Sequence, residues 1–478
     1  MTAFLISLAI LIGGYLIYGS VVDRIMATDP KRPMPAYELR DDVDYRPMKP
    51  WRVFLIQFLN IAGLGPIFGA IMGIMFGPAA FLWIALGTIF GGAVHDFCSG
   101  VISVRKDGAS LPEIVGSELG IGIKQLMRGF SVLLLILVAA VFVVTPAGLI
   151  ASMTPDYLDK TVWVIAIFLY YILATLLPID KLIGNLYPIF GFALLFMAAG
   201  ILGVLIFTDV EIPVSFSDTF SSHNATAPVF PMMFVSIACG AISGFHATQS
   251  PMMARCLTNE RLARPIFYGA MVAEGIVALI WAAAAVAFTG GYDHLASYMA
   301  AEGNSAGSLV RDISFGWLGK LGGLLAILGV VAAPITTGDT ALRSARLTAA
   351  DFMHFSQKTI WQRLAIALPI FALTALVMMI DFTILWRYFA WCNQTLSVFT
   401  LWAVTVYLAR HRKLYIISLL PAIFMTVVCT SYLLYAPRPE GLGLSLNIAI
   451  FSGIAAATLL TLIFFINTRP HKKLLKSM

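Results

Sequence analysis

Long apolar runs recur along almost the whole of this chain, and in hydrocarbon such a run has few structural choices. Crossing about 30 Å of bilayer takes roughly 17 to 25 apolar residues. With no water to bond the backbone, every N–H and C=O must be satisfied within the protein, which leaves helices. Thirteen runs of that length can be counted. A leading run lies at about 2 to 22, and runs 1 to 12 follow at about 52 to 75, 77 to 98, 129 to 151, 161 to 178, 185 to 207, 229 to 249, 266 to 289, 316 to 338, 363 to 380, 386 to 409, 414 to 435 and 444 to 466. The leading run has no positive leader and no small-residue cleavage site, so it reads as a retained helix and not a signal peptide. The expected fold class is an all-α polytopic membrane protein of about 13 transmembrane helices.

Charge separates this chain from soluble proteins. Only 12% of residues are charged and 59% are hydrophobic, whereas a soluble surface needs roughly a quarter of residues charged. The net charge of +6 arises from Lys and Arg in short loops, the ordinary mark of membrane orientation, so no nucleic-acid partner is expected. The cysteines Cys98, Cys239, Cys256, Cys392 and Cys429 are scattered, without metal-ligand spacing, and read as small core hydrophobes.

Across alternate connections, 26 of the 31 Lys and Arg fall on one side. The other side holds Lys160, Arg311 and Arg438, while Lys320 and Arg387 lie within runs and are expected to snorkel from span ends. Cytoplasmic loops carry the positive excess, so the N-terminus is expected outside and the C-terminus in the cytoplasm. A missed or invented helix would scramble this alternation.

Two runs are broken in matching fashion. Run 1 contains Asn60-Ile61-Ala62-Gly63-Leu64-Gly65-Pro66, and run 6 contains Cys239-Gly240-Ala241-Ile242-Ser243-Gly244. Unwound backbone at membrane depth survives only where it is buried in protein or lines a cavity. Such interruptions at corresponding places in two halves are the sequence mark of a secondary transporter with a site near the midplane. The breaks are five runs apart, and a repeat with an odd number of spans inserts upside down the second time. Residues 52–207 and 229–409 are therefore expected to form inverted repeats 1 and 2. Around them lie a leading transmembrane helix at 1–22, a cytoplasmic connector at 23–51, and two appended helices with a basic tail at 410–478. No residue-level similarity between the halves is visible.

Smaller features fit this plan. The outer loop at about 290 to 314 contains Asp293 to Met299, a stretch suited to a short amphipathic helix over a vestibule or to a solvated connector. Thr340 to Phe352, with Arg343, Arg346 and Asp351 among apolar residues, suits a helix lying along the membrane surface or a simple anchor. Gly87 and Gly91 are spaced for close helix packing. Asn224-Ala225-Thr226 is a formal glycosylation sequon in an outer loop, without meaning in a typical bacterium.

Four motifs carry a family resemblance: the run from Asn60 to Ala70, Ala93-Val94-His95-Asp96-Phe97, the run from Gly244 to Pro251, and the run from Pro334 to Arg346. Together they resemble the carbon starvation protein A family over about residues 1 to 470, in a shorter form than its larger members. The resemblance implies a bacterial or archaeal inner-membrane transporter for peptides or pyruvate, used when nutrients run low. It also implies kinship with the amino acid, polyamine and organocation superfamily and its leucine-transporter-type 5+5 inverted repeat.

A half-helix resuming at midplane presents free N–H groups and the positive end of its dipole, a seat for a carboxylate. N–H groups after Gly65 and Gly244 are the expected anion donors, in breaks that also contain Gly63 and Gly240. Asn60, Ser236, Ser243, His246 and Gln249 add polarity beside them; helix-to-helix hydrogen bonding is the alternative for Asn60 and packing for His246. For coupling, Thr336 and Thr337 supply hydroxyl oxygens where a leucine-transporter-type fold draws sodium, or else bond their own helix. Protons are the rival ion, with Glu274, His95 and Asp96 as carriers. A charged carboxylate facing lipid costs roughly 2.5 kcal/mol or more, so Glu274 should face protein or water. Asp96 is close enough to the inner surface for pairing with Arg105 or Lys106.

Other classes lack their chemistry. The only Gly-Lys pair, Gly319-Lys320, is not in a phosphate-binding loop, and there is no H-E-x-x-H, G-x-S-x-G or pair of carboxylates on one span. No enzyme activity and no cofactor beyond a coupling proton or sodium is expected. A sodium- or proton-coupled amino acid transporter, a channel and a transporter-like nutrient sensor remain alternatives, and the oligomeric state is open.

Overall fold

The computed structural model describes residues 1–41, 45–176, 183–208, 210–212, 223, 227–353, 355 and 359–468. Among the described residues every regular element is helical. Helix α1 (Thr2–Met26) leads, followed by α2 (Pro50–Ile61) and α3 (Gly65–Ile74), which meet at a 52° bend. Next come α4 (Ala79–Arg105), the short α5 (Leu111–Leu119), α6 (Ile121–Ala151), α7 (Lys160–Leu176) and α8 (Ile183–Phe207). The second half comprises α9 (Val229–Ser236), α10 (Gly244–Ala254), α11 (Glu260–Thr289), α12 (Tyr292–Ala300), α13 (Ala306–Ala326), α14 (Ala333–Phe352), α15 (Ile360–Val377) and α16 (Phe382–Arg410). Helices α17 (Ile416–Tyr435) and α18 (Leu446–Thr468) close the chain.

Nine helices among the described residues are long and apolar enough to cross a membrane, or ten if the bent pair α2 and α3 is one span. The chain is thus a multi-pass membrane protein. Three of the thirteen expected runs fall outside this set for identifiable reasons. Run 4 contains only a shorter apolar helix, Lys160–Ala174. Run 6 is divided between α9 and α10, and run 10 lies in α16, where Asn393 and Gln394 dilute the apolar character.

Buried and peripheral helices are distinct. In α6, 83% of the most apolar stretch is buried inside the protein, against 22% in α1 and in α18. The centre therefore consists of α4, α6 and α11, with Trp281, Trp386, Tyr171, Tyr268 and Phe58 among the largest fully buried side chains. Gly87, Gly91 and Gly92 give α4 a narrow face against Ala241 and Ile242. This is the close packing expected from their spacing.

Two loop expectations need correction. Thr340 to Phe352 is no separate surface helix: it continues α14, which starts at Ala333, because nothing interrupts the helical backbone there. The outer loop holds α12 as expected, but residues from Ala306 onward are also helical. Ser305 and Ser308 start α13 with a reciprocal capping box, and Gly319 (φ 60°, ψ −148°) breaks it at a conformation that glycine tolerates.

The charged ends are also tied down. Buried Glu260 takes Arg105 Nε at 2.6 Å, Arg32 Nε at 3.2 Å and the Asp29 backbone N–H at 2.6 Å. Arg105 also donates to the carbonyls of Met26 and Ala27, and Lys413 donates to Met26. Arg387, expected to snorkel, instead donates to both carboxylate oxygens of Glu440 at 2.9 Å. Lys320 is exposed.

Candidate functional site

The two broken runs touch at their breaks. Helix α2 ends as Ala62 leaves helical geometry (φ −83°, ψ 46°), and α9 ends at Ile237 (φ −90°, ψ 58°). Gly65 lies so close to Cys239 that a Cβ there would overlap its Cβ and Sγ. A Cβ on Gly240 would lie 2.7 Å from Ala278 Cβ of α11, and one on Gly63 3.0 Å from Phe142 Cζ of α6. Glycine is required at these positions because four chain segments converge, not merely because the helices unwind.

Several donors assigned to an anion are engaged in this structure. Pro66 has no N–H, and the N–H groups of Ile67 and Phe68 donate to Leu64 O at 3.2 and 2.8 Å. At the second break, Asn393 Oδ1 accepts from Phe245 N–H at 2.7 Å and from Ser243 Oγ at 3.0 Å, while Asn393 Nδ2 donates to Cys239 Sγ at 3.1 Å. Gln394 Nε2 donates to Phe234 O at 2.6 Å, on the other side of the break. Thr88 Oγ1 donates to Gly240 O at 3.0 Å. Helices α16 and α4 thus replace hydrogen bonds that the unwound segment cannot make for itself. Sequence reasoning missed Asn393, Gln394 and Thr88 because it searched along the broken runs and not across to their neighbours. An Asn-Gln pair inside run 10 was the available signal.

Beside the breaks, four ionisable side chains from three helices form one continuous cluster, each fully buried. Asp96 Oδ1 is 2.7 Å from His95 Nδ1, and Asp96 Oδ2 is 2.9 Å from His246 Nδ1. On its opposite edge, His246 Nε2 lies 3.3 Å from Glu274 Oε2, close but without hydrogen-bond alignment. Nε2 of both imidazoles and both oxygens of Glu274 have no hydrogen-bond partner. Arg105 and Arg264 mark charged ends of α4 and α11. Asp96 lies nine residues before the first and Glu274 ten after the second, about 14 and 15 Å along their helices at 1.5 Å per residue.

Asp96 therefore has partners other than those expected. Arg105 is committed to Glu260, and Lys106 Nζ to Glu118 at 2.7 Å. Asp96 faces inward from α4, whereas both basic residues lie at its end, a turn or more away. His246, expected to contact substrate, joins the expected proton carriers His95, Asp96 and Glu274.

The remaining expected residues are more scattered. Asn60 is buried at the end of α2, and Gln249 is buried on α10 with Oε1 unpartnered. Ser236 donates to Met232 O within its own helix. Thr337 is buried on α14, whereas the Thr336 side chain lies outside the described residues, as do the sequon and the tail from Arg469. Among the described residues no group of three or more His, Cys, Asp or Glu is arranged to hold a metal ion. Asp339, two residues beyond Thr337, is buried with both carboxylate oxygens unpartnered.

Paired helix breaks beside buried ionisable groups in a many-helix bundle define the membrane-transporter class of fold. In keeping with this, a crystal structure of the Eremococcus coleocola manganese transporter aligns over 91% of this chain and 96% of its own, with a TM-score of 0.52. At 13% identity that likeness concerns the fold alone. The sequence profile of the family described as carbon starvation protein CstA matches residues 1–155 and 147–320, and the chain belongs to that family. An uncharacterized membrane protein of Haemophilus influenzae is 41% identical over 338 residues, 60% of this chain and 91% of the relative. The peptide transporter CstA of Bacillus subtilis is 29% identical over 349 residues, covering 59% of this chain and 58% of the relative. The pyruvate/proton symporter BtsT of Escherichia coli is 29% identical over 324 residues, covering 54% and 45%. The chain thus spans about half the length of these named relatives, which are transporters and not enzymes.

Proposed function

We propose that the protein is a proton-coupled secondary transporter of the bacterial cytoplasmic membrane that imports peptides or small carboxylates such as pyruvate when carbon is scarce. The observation carrying this reading is the fully buried His95, Asp96, His246 and Glu274 cluster packed beside two touching helix breaks. A carboxylate in such a place is expensive to leave charged and unpaired, so it serves well as a group that gains and loses a proton during a cycle. The names of the peptide-transporting and pyruvate/proton-transporting relatives support the same substrate classes.

In this reading the chain makes thirteen crossings in a 5+5 inverted repeat, with residues 52–207 and 229–409 as the two repeats and the C-terminus cytoplasmic. Helices α2 to α4 and α9 to α11 form the bundle that rocks against the rest of the core. The substrate carboxylate meets the backbone around Gly63, Gly65, Gly240 and Gly244, with Asn60, Ser243 and Gln249 beside it. The sodium reading rests on Thr336 and Thr337 and has less behind it.

The test is uptake of labelled pyruvate and of a labelled dipeptide into proteoliposomes under an imposed proton gradient or, separately, a sodium gradient. Proton-driven accumulation of either substrate is the expected result. Accumulation under sodium alone would transfer coupling to the threonine site, and no driven uptake would refute the transport reading.

A further inference from the structure

We infer that His246 is the proton-transfer bridge of the cluster, passing a proton between Glu274 and Asp96 by exchanging its tautomer. The inference rests on the proton-coupled reading above and gives it a route. Asp96, when ionised, can only accept hydrogen bonds, so the two imidazoles facing it at 2.7 and 2.9 Å both present Nδ1–H. That tautomer leaves His246 Nε2 with a lone pair 3.3 Å from Glu274 Oε2, a gap that a small side-chain rotation aligns for transfer. Glu274 in its protonated form supplies the missing donor.

The transfer balances without any other reactant. A proton leaves Glu274 Oε2 for His246 Nε2 as the Nδ1 proton leaves His246 for Asp96 Oδ2. Glu274 is then the carboxylate, Asp96 the acid, and His246 neutral in its other tautomer. The cluster keeps a single negative charge throughout, so no second ion has to enter a region where each of the four side chains is fully buried. His95 holds the far oxygen of Asp96, and its own Nε2 has no hydrogen-bond partner. A further titratable group packed at the break is the Cys239 thiol, which Asn393 Nδ2 engages.

Position also links this bridge to the helix breaks. His246 is the third residue of α10, whose first residue Gly244 lies against the α16 backbone and whose second, Phe245, is held by Asn393. A shift of α10 relative to α4 and α11 within the bundle changes the distance from His246 to Asp96 and to Glu274. Reorientation of the half-helix therefore makes or breaks the relay.

The experiment compares two quantities in proteoliposomes: accumulation driven by a proton gradient, and substrate exchange at equal pH, which moves no net proton. For His246→Gln the ratio of accumulation to exchange is expected to fall at least tenfold. For His95→Gln, which keeps an N–H toward Asp96 but lies off the route to Glu274, a smaller fall than in His246→Gln is expected. An unchanged ratio in His246→Gln overturns the relay. So does an equal loss in both variants, because His246 would then be no more than a second anchor for Asp96. Absence of proton-driven accumulation in the unsubstituted protein would refute the proton-coupled reading itself, a different failure from either of these.

Discussion

The backbone N–H of Phe245 donates to Asn393 Oδ1 at 2.7 Å, so the second half of a broken span is capped by a neighbouring helix and not by the segment that precedes it. Ser243 occupies the N-cap position and is of a type suited to capping, yet its hydroxyl also turns to Asn393 Oδ1. Replacing Asn393 with Leu leaves the N–H of Phe245 without this acceptor inside the protein. A loss of about 1–3 kcal/mol is expected, together with loss of uptake. Thermal unfolding of the purified protein in detergent checks the first part, and a melting temperature equal to the parent would contradict it.

Contact between Gly65 and Cys239 gives a compensation test. Gly65→Ala pushes a methyl group into Cys239 and is expected to destabilise by about 1–3 kcal/mol. Combined with Cys239→Gly, which removes the overlapping atoms, it should recover about 0.5 kcal/mol or more relative to additivity. Strict additivity in a double-mutant cycle would mean that the breaks do not touch.

Gly244 has the same restriction against α16. A Cβ there would lie 2.5 Å from Asn393 O and from Ser397 N, both backbone atoms with no freedom to move aside. Gly244→Leu should therefore abolish uptake, as should Asn60→Ala at the first break. Normal uptake by both variants would displace the site from the breaks.

Glu274→Gln keeps the shape of the side chain but cannot exchange a proton. Proton-driven accumulation should fall at least tenfold while the protein still inserts, since Gln retains hydrogen-bonding capacity toward His246. A pH profile of uptake identical to the parent would remove Glu274 from the mechanism.

On the charged rim, Glu260→Gln leaves the Arg105 and Arg32 guanidiniums without their shared carboxylate. Breaking one partner of a buried ion pair typically costs about 3–5 kcal/mol. The melting temperature should drop by several degrees, and unfastening of the turn after α1 should appear as faster hydrogen exchange at Met26 to Asp29.

Glu113 of α5 gives a prediction with a pH sign. Partial burial raises its carboxyl pKa, but the Lys124 hydrogen bond and charge, with Arg128, outweigh that and hold it below the usual carboxylate value. A carboxyl depressed on folding stabilises above its unfolded pKa of about 4.3 and loses that contribution as pH falls through the lower folded value. For a half-exposed pair the effect is about 1 kcal/mol or less. Glu113→Gln should lower stability slightly at pH 7 and not at pH 3, as read by melting temperature.

The sequence by itself determined the membrane class, the places where helices lie and the two breaks, because apolar length and glycine or proline interruptions act locally. His95, Asp96, His246 and Glu274 were each visible as costly residues in apolar surroundings. Their membership in one cluster was not visible, since it depends on α4, α10 and α11 meeting around residues up to 179 positions apart. Position along α4 alone suggested that Asp96 pairs with Arg105 or Lys106; only its direction of facing, fixed by helix packing, gave it two histidines instead. Asn393 illustrates the same limit. An asparagine within an apolar run must find partners, but which broken helix it caps is decided by packing among distant segments, a property that no local pattern encodes.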